Sequence, residues 1–207
     1  DKIPQMSDGH EVFAAIKSLK KKSPTNLYCM VPNEKGFDRA LASGVSEVAV
    51  FTATSEEFNK KNINASVAES LDRIKVVCAR ARKEKIKVRG YVSTVFGCPY
   101  QGKTATADLL NIIKFYQDQG VSEISLGDTI GVGNPHQVEA VLSACLKIIS
   151  PQQLAMHFHD TYGRALVNVY TAYKLGINNF DSSSGGLGVC PYAKGATGNV
   201  ATEDVVS

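Results

Sequence analysis

Gly44-Val45-Ser46-Glu47-Val48 and Gly120-Val121-Ser122-Glu123-Ile124 are nearly the same five letters at two places in a chain of 207 residues. Each glycine follows an amphipathic run, and each Val-Ser-Glu leads into apolar, β-branched residues, so each copy marks a helix ending and a strand beginning. A junction used twice is the signature of a repeated helix-to-strand unit. Working outward from it, strand-like runs lie at 27–31, 46–52, 86–94, 121–127, 153–157 and 178–182. Between them apolar residues recur at helical spacing: Val67, Leu71, Ile74 and Cys78; Leu110, Ile113 and Tyr116; Val138, Leu142 and Cys145; Leu166, Val169 and Tyr173. Asn134-Pro135 supplies a cap and a first-turn proline, while Gly120 and Gly176 close helices ahead of strands.

Six strands alternating with helices require right-handed parallel crossovers, in either a doubly wound sheet or a (β/α)8 barrel. In a barrel, catalytic residues gather at the C-terminal ends of many different strands. Polar residues stand at such ends here: Ser93 and Thr94, Asp128 and Thr129, His157 with His159 and Asp160, and Asp181 to Ser184. The pattern predicts an α/β fold of the TIM-barrel type, with residues 1–207 forming a single catalytic domain. Six strands do not close an eight-stranded barrel, so an incomplete barrel is expected, its first strands and C-terminal helices falling outside this sequence.

Composition narrows the function. With 43% hydrophobic and 21% charged residues the chain has the make-up of an ordinary globular domain. Its net charge of +3 is small and dispersed, which argues against nucleic-acid binding. Lys20-Lys21-Lys22 reads as a solvated helix end. No apolar run approaches a membrane span, and DKIPQMSDGH lacks a secretory pattern, so neither a membrane nor secretion is expected. Five cysteines, odd in number and without metal-finger spacing, indicate free thiols in a reducing compartment.

His157 and His159 flank Phe158 at a strand end, where a period of two turns both imidazoles to one face. By itself the pair suits a metal or a hydrogen-bonded polar strand end. Asp160 and the surrounding rim favour a metal, and imidazole plus oxygen ligands with open positions suit Mg²⁺ or Mn²⁺. The tail from Gly185 to Asn199 carries five glycines, with Cys190 near its middle. Such a run reads as a mobile loop that brings one thiol to a substrate. Asp128, in LGDTIGVG, ends a strand, and its glycines fit neither GxGxxG nor a P-loop. Arg89 and Tyr91 share a strand face, where an inward arginine needs an anion, either a substrate or a structural ion-pair partner. Cys98 has a weaker claim than Cys190, and Cys29, Cys78 and Cys145 read as core packing. His10 and His136 read as exposed surface residues.

Together these segments resemble one family, the 3-hydroxy-3-methylglutaryl-CoA lyases. The resemblance runs from Ile3-Pro4-Gln5-Met6 through NKKNIN (59–64), VRGYVS (88–93), GCPYQGK (97–103), EISLGDTIGVG (123–133) and HFHDTYG (157–163) to GLGVCPYAKGATGNVATED (186–204). It implies cleavage of 3-hydroxy-3-methylglutaryl-CoA to acetyl-CoA and acetoacetate, a reaction of leucine degradation and ketone-body formation, assisted by Mg²⁺ or Mn²⁺. It implies His157, His159 and Asn199 as metal ligands, with His157 also relaying a proton, and Asp128 among the catalytic groups. Cys190 becomes an acid that protonates the acetyl-CoA enolate without a covalent acyl intermediate. Arg89, Tyr91, Ser125, Thr129 and Asn62 are expected around the acyl-CoA substrate, and Glu203 and Asp160 beside the ligands. A fourth ligand, the aspartate of a first-strand Arg-Asp-Gly motif, is also implied. No such tripeptide occurs in residues 1–207, which alone are expected to be inactive. The resemblance further implies a homodimer in bacterial cytoplasm or the mitochondrial matrix.

Two rivals remain. Related condensing barrels, such as isopropylmalate or homocitrate synthase, share the two-histidine strand but resemble HxHND there and lack the Cys-Pro-Tyr loop. A non-catalytic metal- or CoA-binding relative would keep the rim alone.

Overall fold

The computed structural model describes residues 8–17, 25–188 and 197–207. Ile3 to Met6, Lys20-Lys21-Lys22 and Cys190 lie outside them. Six strands follow one another: β1 (Tyr28–Met30), β2 (Glu47–Ala53), β3 (Lys87–Ser93), β4 (Glu123–Asp128), β5 (Leu154–Phe158) and β6 (Asn179–Asp181). The helices are α1 (Gly9–Lys17), α2 (Glu34–Ala42), α3 (Glu56–Ile63), α4 (Val67–Lys83), α5 (Thr106–Asp118), α6 (Pro135–Cys145), α7 (Ala165–Lys174) and α8 (Thr202–Val206). Every expected strand is present, displaced by no more than two residues at an end.

The strands form one parallel sheet in the order β1-β2-β3-β4-β5-β6. A doubly wound sheet needs a reversal of strand order, and there is none. Side chains on the concave face show how strongly the sheet curls. Arg89 on β3 reaches Asp181 on β6 at 2.8 Å, although three strand spacings in a flat sheet span about 14 Å. The result is a curled half-barrel.

Alternation along the strands sorts two faces. Val48, Val50, Val88, Val92, Ile124, Leu126, Leu154, Met156 and Phe158 are buried beneath the helices, while Arg89, Tyr91, Glu123, Ser125, His157, Asn179 and Asp181 fall on the concave side. Both copies of the repeated junction share one geometry. Gly44 and Gly120 each have φ of +72°, the left-handed turn that ends a helix at least cost in glycine. Side chains cap the helix starts: Ser66 and Glu69 form a reciprocal box on α4, as do Asn134 and Gln137 on α6.

Gly90 shows how closely α5 packs. A Cβ built there would stand 2.9 Å from the ring of Tyr116, which is fully buried and donates its hydroxyl to Tyr91 O. Gly90→Ala is therefore expected to cost about 1–3 kcal/mol, as overpacking does. The check is a lower urea midpoint at unchanged slope.

Candidate functional site

The end of β5 organises the site. His157 and His159 have ring centroids 5.3 Å apart, while Phe158 turns to the other side and packs against Phe96. Their hydrogen bonds determine which nitrogen each ring presents. His159 Nδ1 lies 3.0 Å from Thr197 O, and a carbonyl only accepts, so the proton sits on Nδ1 and Nε2 carries the lone pair. His157 Nδ1 lies 3.2 Å from Asp181 Oδ2, and an ionised carboxylate likewise only accepts. Burial holds the His159 ring below the usual imidazole range, reinforced by neighbouring His157 and opposed by the Thr197 bond. A neutral ring is the form that binds a metal.

Asn199 joins the pair from the other end of the glycine-rich segment. It forms an isolated antiparallel bridge with His159, so the two side chains share a face. Its Nδ2 donates to Leu187 O at 2.9 Å, while its Oδ1 is buried with no hydrogen-bond partner among the described residues. Leaving a carbonyl oxygen buried and unpaired is costly, so this atom suits a cation. Two imidazole nitrogens and an amide oxygen fit a divalent cation of the Mg²⁺ or Mn²⁺ type once water or carboxylate fills the remaining positions. Among the described residues no group of three or more His, Cys, Asp or Glu side chains could hold a metal ion, so the two histidines would need the Asn199 oxygen beside them.

Below the histidines the concave face holds an ion-pair network. Arg89 Nε donates to Glu123 Oε1 at 2.5 Å, Nη1 to Asp181 Oδ1 at 2.8 Å, and Nη1 also to the Tyr91 hydroxyl. Burial works against the guanidinium charge, but Asp181, Tyr91 and Glu123 outweigh it and hold Arg89 more firmly protonated than usual. Ser125 Oγ donates to Asp181 Oδ2 at 2.7 Å, and Asn179 Nδ2 to Glu123 Oε2 at 2.8 Å. Burial alone would raise Asp181, yet the His157 hydrogen bond and the Arg89 charge bring it below the ordinary aspartate value. Burial, helped by the Asp181 charge, pushes the Tyr91 phenol up to about 12. Of the residues expected around substrate, Arg89, Tyr91 and Ser125 thus meet at one place, joined through Asp181 and one another.

The others are dispersed. Asp128 registers with Phe158 on the helix-facing side, where its oxygens accept from Val132 N and Gly133 N. Burial raises its carboxyl to about 6 against the pull of those amides and of His157. Thr129 Oγ1 accepts from Thr94 N at 2.8 Å, steadying a threonine whose φ is +60°. Asn62 is half-buried near the end of α3. Asp160 is exposed and its Oδ1 accepts from Ala165 N at the start of α7, and Glu203 accepts from Gly185 N at the stem of the glycine-rich segment. These last two anchor backbone around the ligand candidates. His10 and His136 are exposed, as expected, and Cys78, Cys98 and Cys145 are buried. Glu123 is not among the sequence-based site candidates, and Asp181 enters there only as one of the polar strand ends. The Asn179-Phe180-Asp181 alternation put two polar groups on one face, but nothing local told what they would meet.

A family profile described as HMGL-like matches residues 2–207. The chain belongs to the HMGL-like family. It is 50% identical to the mitochondrial hydroxymethylglutaryl-CoA lyase of Bos taurus over 204 residues, 99% of this chain and 62% of that one. Against the 3-hydroxy-3-isohexenylglutaryl-CoA/hydroxy-methylglutaryl-CoA lyase of Pseudomonas aeruginosa the identity is 48%, over 99% of this chain and 67% of the relative. The solved hydroxymethylglutaryl-CoA lyase of Pseudomonas aeruginosa superposes with a TM-score of 0.91 at 48% identity, covering 99% of this chain and 67% of that one. An HMG-CoA lyase of Acinetobacter baumannii, in complex with coenzyme A and 3-methylmalate, gives 0.90 at 37% identity over 99% and 66%. This HMGL-like chain therefore spans 62% of the length of its bovine relative. No helix among its described residues is long and apolar enough to cross a membrane.

Proposed function

We propose that the protein is a divalent-cation-dependent carbon–carbon lyase that cleaves 3-hydroxy-3-methylglutaryl-CoA to acetyl-CoA and acetoacetate. The observation that carries the reading is the buried, unpartnered Oδ1 of Asn199 on the same face as His159, in a chain about half identical to lyases of that name. His157 Nε2, His159 Nε2 and Asn199 Oδ1 would hold Mg²⁺ or Mn²⁺. A bound dication supplies Lewis acidity toward the substrate's tertiary hydroxyl and a carbonyl oxygen.

The chain's own groups do the rest. Loss of the hydroxyl proton lets its electron pair form the new ketone of acetoacetate, while the broken carbon–carbon pair stays on the acetyl-CoA fragment as an enolate. With Nε2 toward the cation and Nδ1 bonded to Asp181, His157 keeps no nitrogen to take the hydroxyl proton, which passes to water, and solvent returns a proton to the Cys190 thiolate after each turnover. Cys190, on the glycine-rich segment, donates the proton the enolate carbon needs, and the product leaves with no acyl-enzyme. An acyl-CoA thioester as substrate agrees with the coenzyme A bound by the Acinetobacter baumannii relative. A homodimer, in bacterial cytoplasm or the mitochondrial matrix, completes the proposal.

The test is to supply the intact protein with 3-hydroxy-3-methylglutaryl-CoA and Mn²⁺ and to follow acetoacetate. Release that EDTA abolishes and added Mn²⁺ restores is the expected result. Condensation of acetyl-CoA with 2-oxo acids, without cleavage, would transfer the protein to the condensing barrels. Thioester binding with neither reaction would make it a non-catalytic relative.

A further inference from the structure

The groups that fix His157 come from three other strands. Asp181 on β6 is its register partner on β5, and Asp181 Oδ2 receives both His157 Nδ1 at 3.2 Å and Ser125 Oγ of β4 at 2.7 Å. Oδ1 receives Arg89 Nη1 of β3 at 2.8 Å. A carboxylate offers about four lone-pair directions, and three are taken here from three directions in space. Rotating it would break an ion pair and a hydrogen bond at once. Arg89 is pinned in turn by Glu123 at 2.5 Å, and Glu123 by Asn179 at 2.8 Å. With two carboxylates already on one guanidinium whose side chain is 11% exposed, little charge is left to attract an anionic substrate.

We infer that Asp181 is a positioning residue that holds His157 in the tautomer with Nδ1 protonated and Nε2 bare, and that Arg89 and Ser125 serve to hold Asp181 rather than substrate. The inference rests on the metal-site reading above for its consequence, since a ligating histidine is oriented by the acceptor on its other nitrogen. The two histidines then have different anchors. His159 leans on a backbone carbonyl, which no side-chain substitution removes, whereas His157 depends on one replaceable carboxylate.

The test uses the intact protein labelled with ¹⁵N-histidine and freed of metal, with the His157 resonances assigned by its own substitution. Wild type is expected to show His157 in the Nδ1-protonated form. Asp181→Asn is expected to shift that ring toward a tautomer mixture and to weaken Mn²⁺ binding by about 10–100-fold. Asp38→Asn removes the exposed ion pair with Arg80, outside the site, and is the control for mere loss of an ion pair. It should leave both the tautomer and the Mn²⁺ affinity within about twofold of wild type. If Asp181→Asn does not fold, Ser125→Ala keeps the charge while freeing Oδ2, and an intermediate tautomer shift is expected. An unchanged tautomer in Asp181→Asn (or in Ser125→Ala, should the former not fold), or an equal effect of Asp38→Asn, would overturn the inference. Failure of wild type to bind Mn²⁺ would instead sink the metal reading, and the tautomer would still decide the role of Asp181.

Discussion

Replacing His159 with alanine is expected to abolish measurable lyase turnover and to weaken Mn²⁺ binding by more than about 100-fold. Losing only the hydrogen-bond partner of a ligand costs roughly 10–100-fold, and losing the ligand itself costs more. The residue is 5% exposed and bonded to Thr197 O, so alanine also removes a buried contact. His159→Gln serves as companion because its amide can keep a donor toward Thr197 while losing the imidazole nitrogen. Mn²⁺ titration followed by electron paramagnetic resonance reads the affinity, and circular dichroism confirms the fold. Affinity within threefold of wild type in both variants would remove His159 from the metal site.

The second large effect is on the thiol. Cys190→Ala in the intact protein is expected to lower turnover by about 10²–10⁴-fold, the range for losing a positioned acid, while sparing Mn²⁺ affinity. The contrast with His159→Ala separates proton delivery from metal binding. An acid, unlike a nucleophile, forms no acyl intermediate, so on the proposed role mass spectrometry of wild type under turnover should find no acyl group on Cys190. Near-normal turnover in the variant would take the thiol out of the mechanism, and a trapped acyl thioester would change its role to nucleophile.

Local pattern made much of the architecture legible. Helix and strand periods differ enough that each element announced itself, and both GVSE junctions became left-handed glycine turns into strands. The choice between barrel and doubly wound sheet was argued from polar strand ends and is borne out by strand order. The shared face of His157 and His159 followed from a two-residue period, which holds wherever a strand is regular. Asp128 was less accessible to such reasoning. It ends its strand as expected, but it registers with Phe158 and spends its oxygens on the turn at 131–133. A residue at a strand end faces the lumen or the helices according to parity, and parity depends on where the ladder stops.

By itself, then, the sequence determined the fold class, the family and the histidine pair, because these follow from spacing along the chain and from matched motifs. Only the tertiary structure decided what Arg89, Ser125 and Asp181 are bonded to. Their meeting depends on curl accumulated over three strand spacings, a property of the whole sheet that no segment encodes alone. The curl turns an arginine open to either a substrate or an ion-pair reading into one bonded to Glu123 and Asp181, and it places the Asp181 carboxylate against His157 Nδ1.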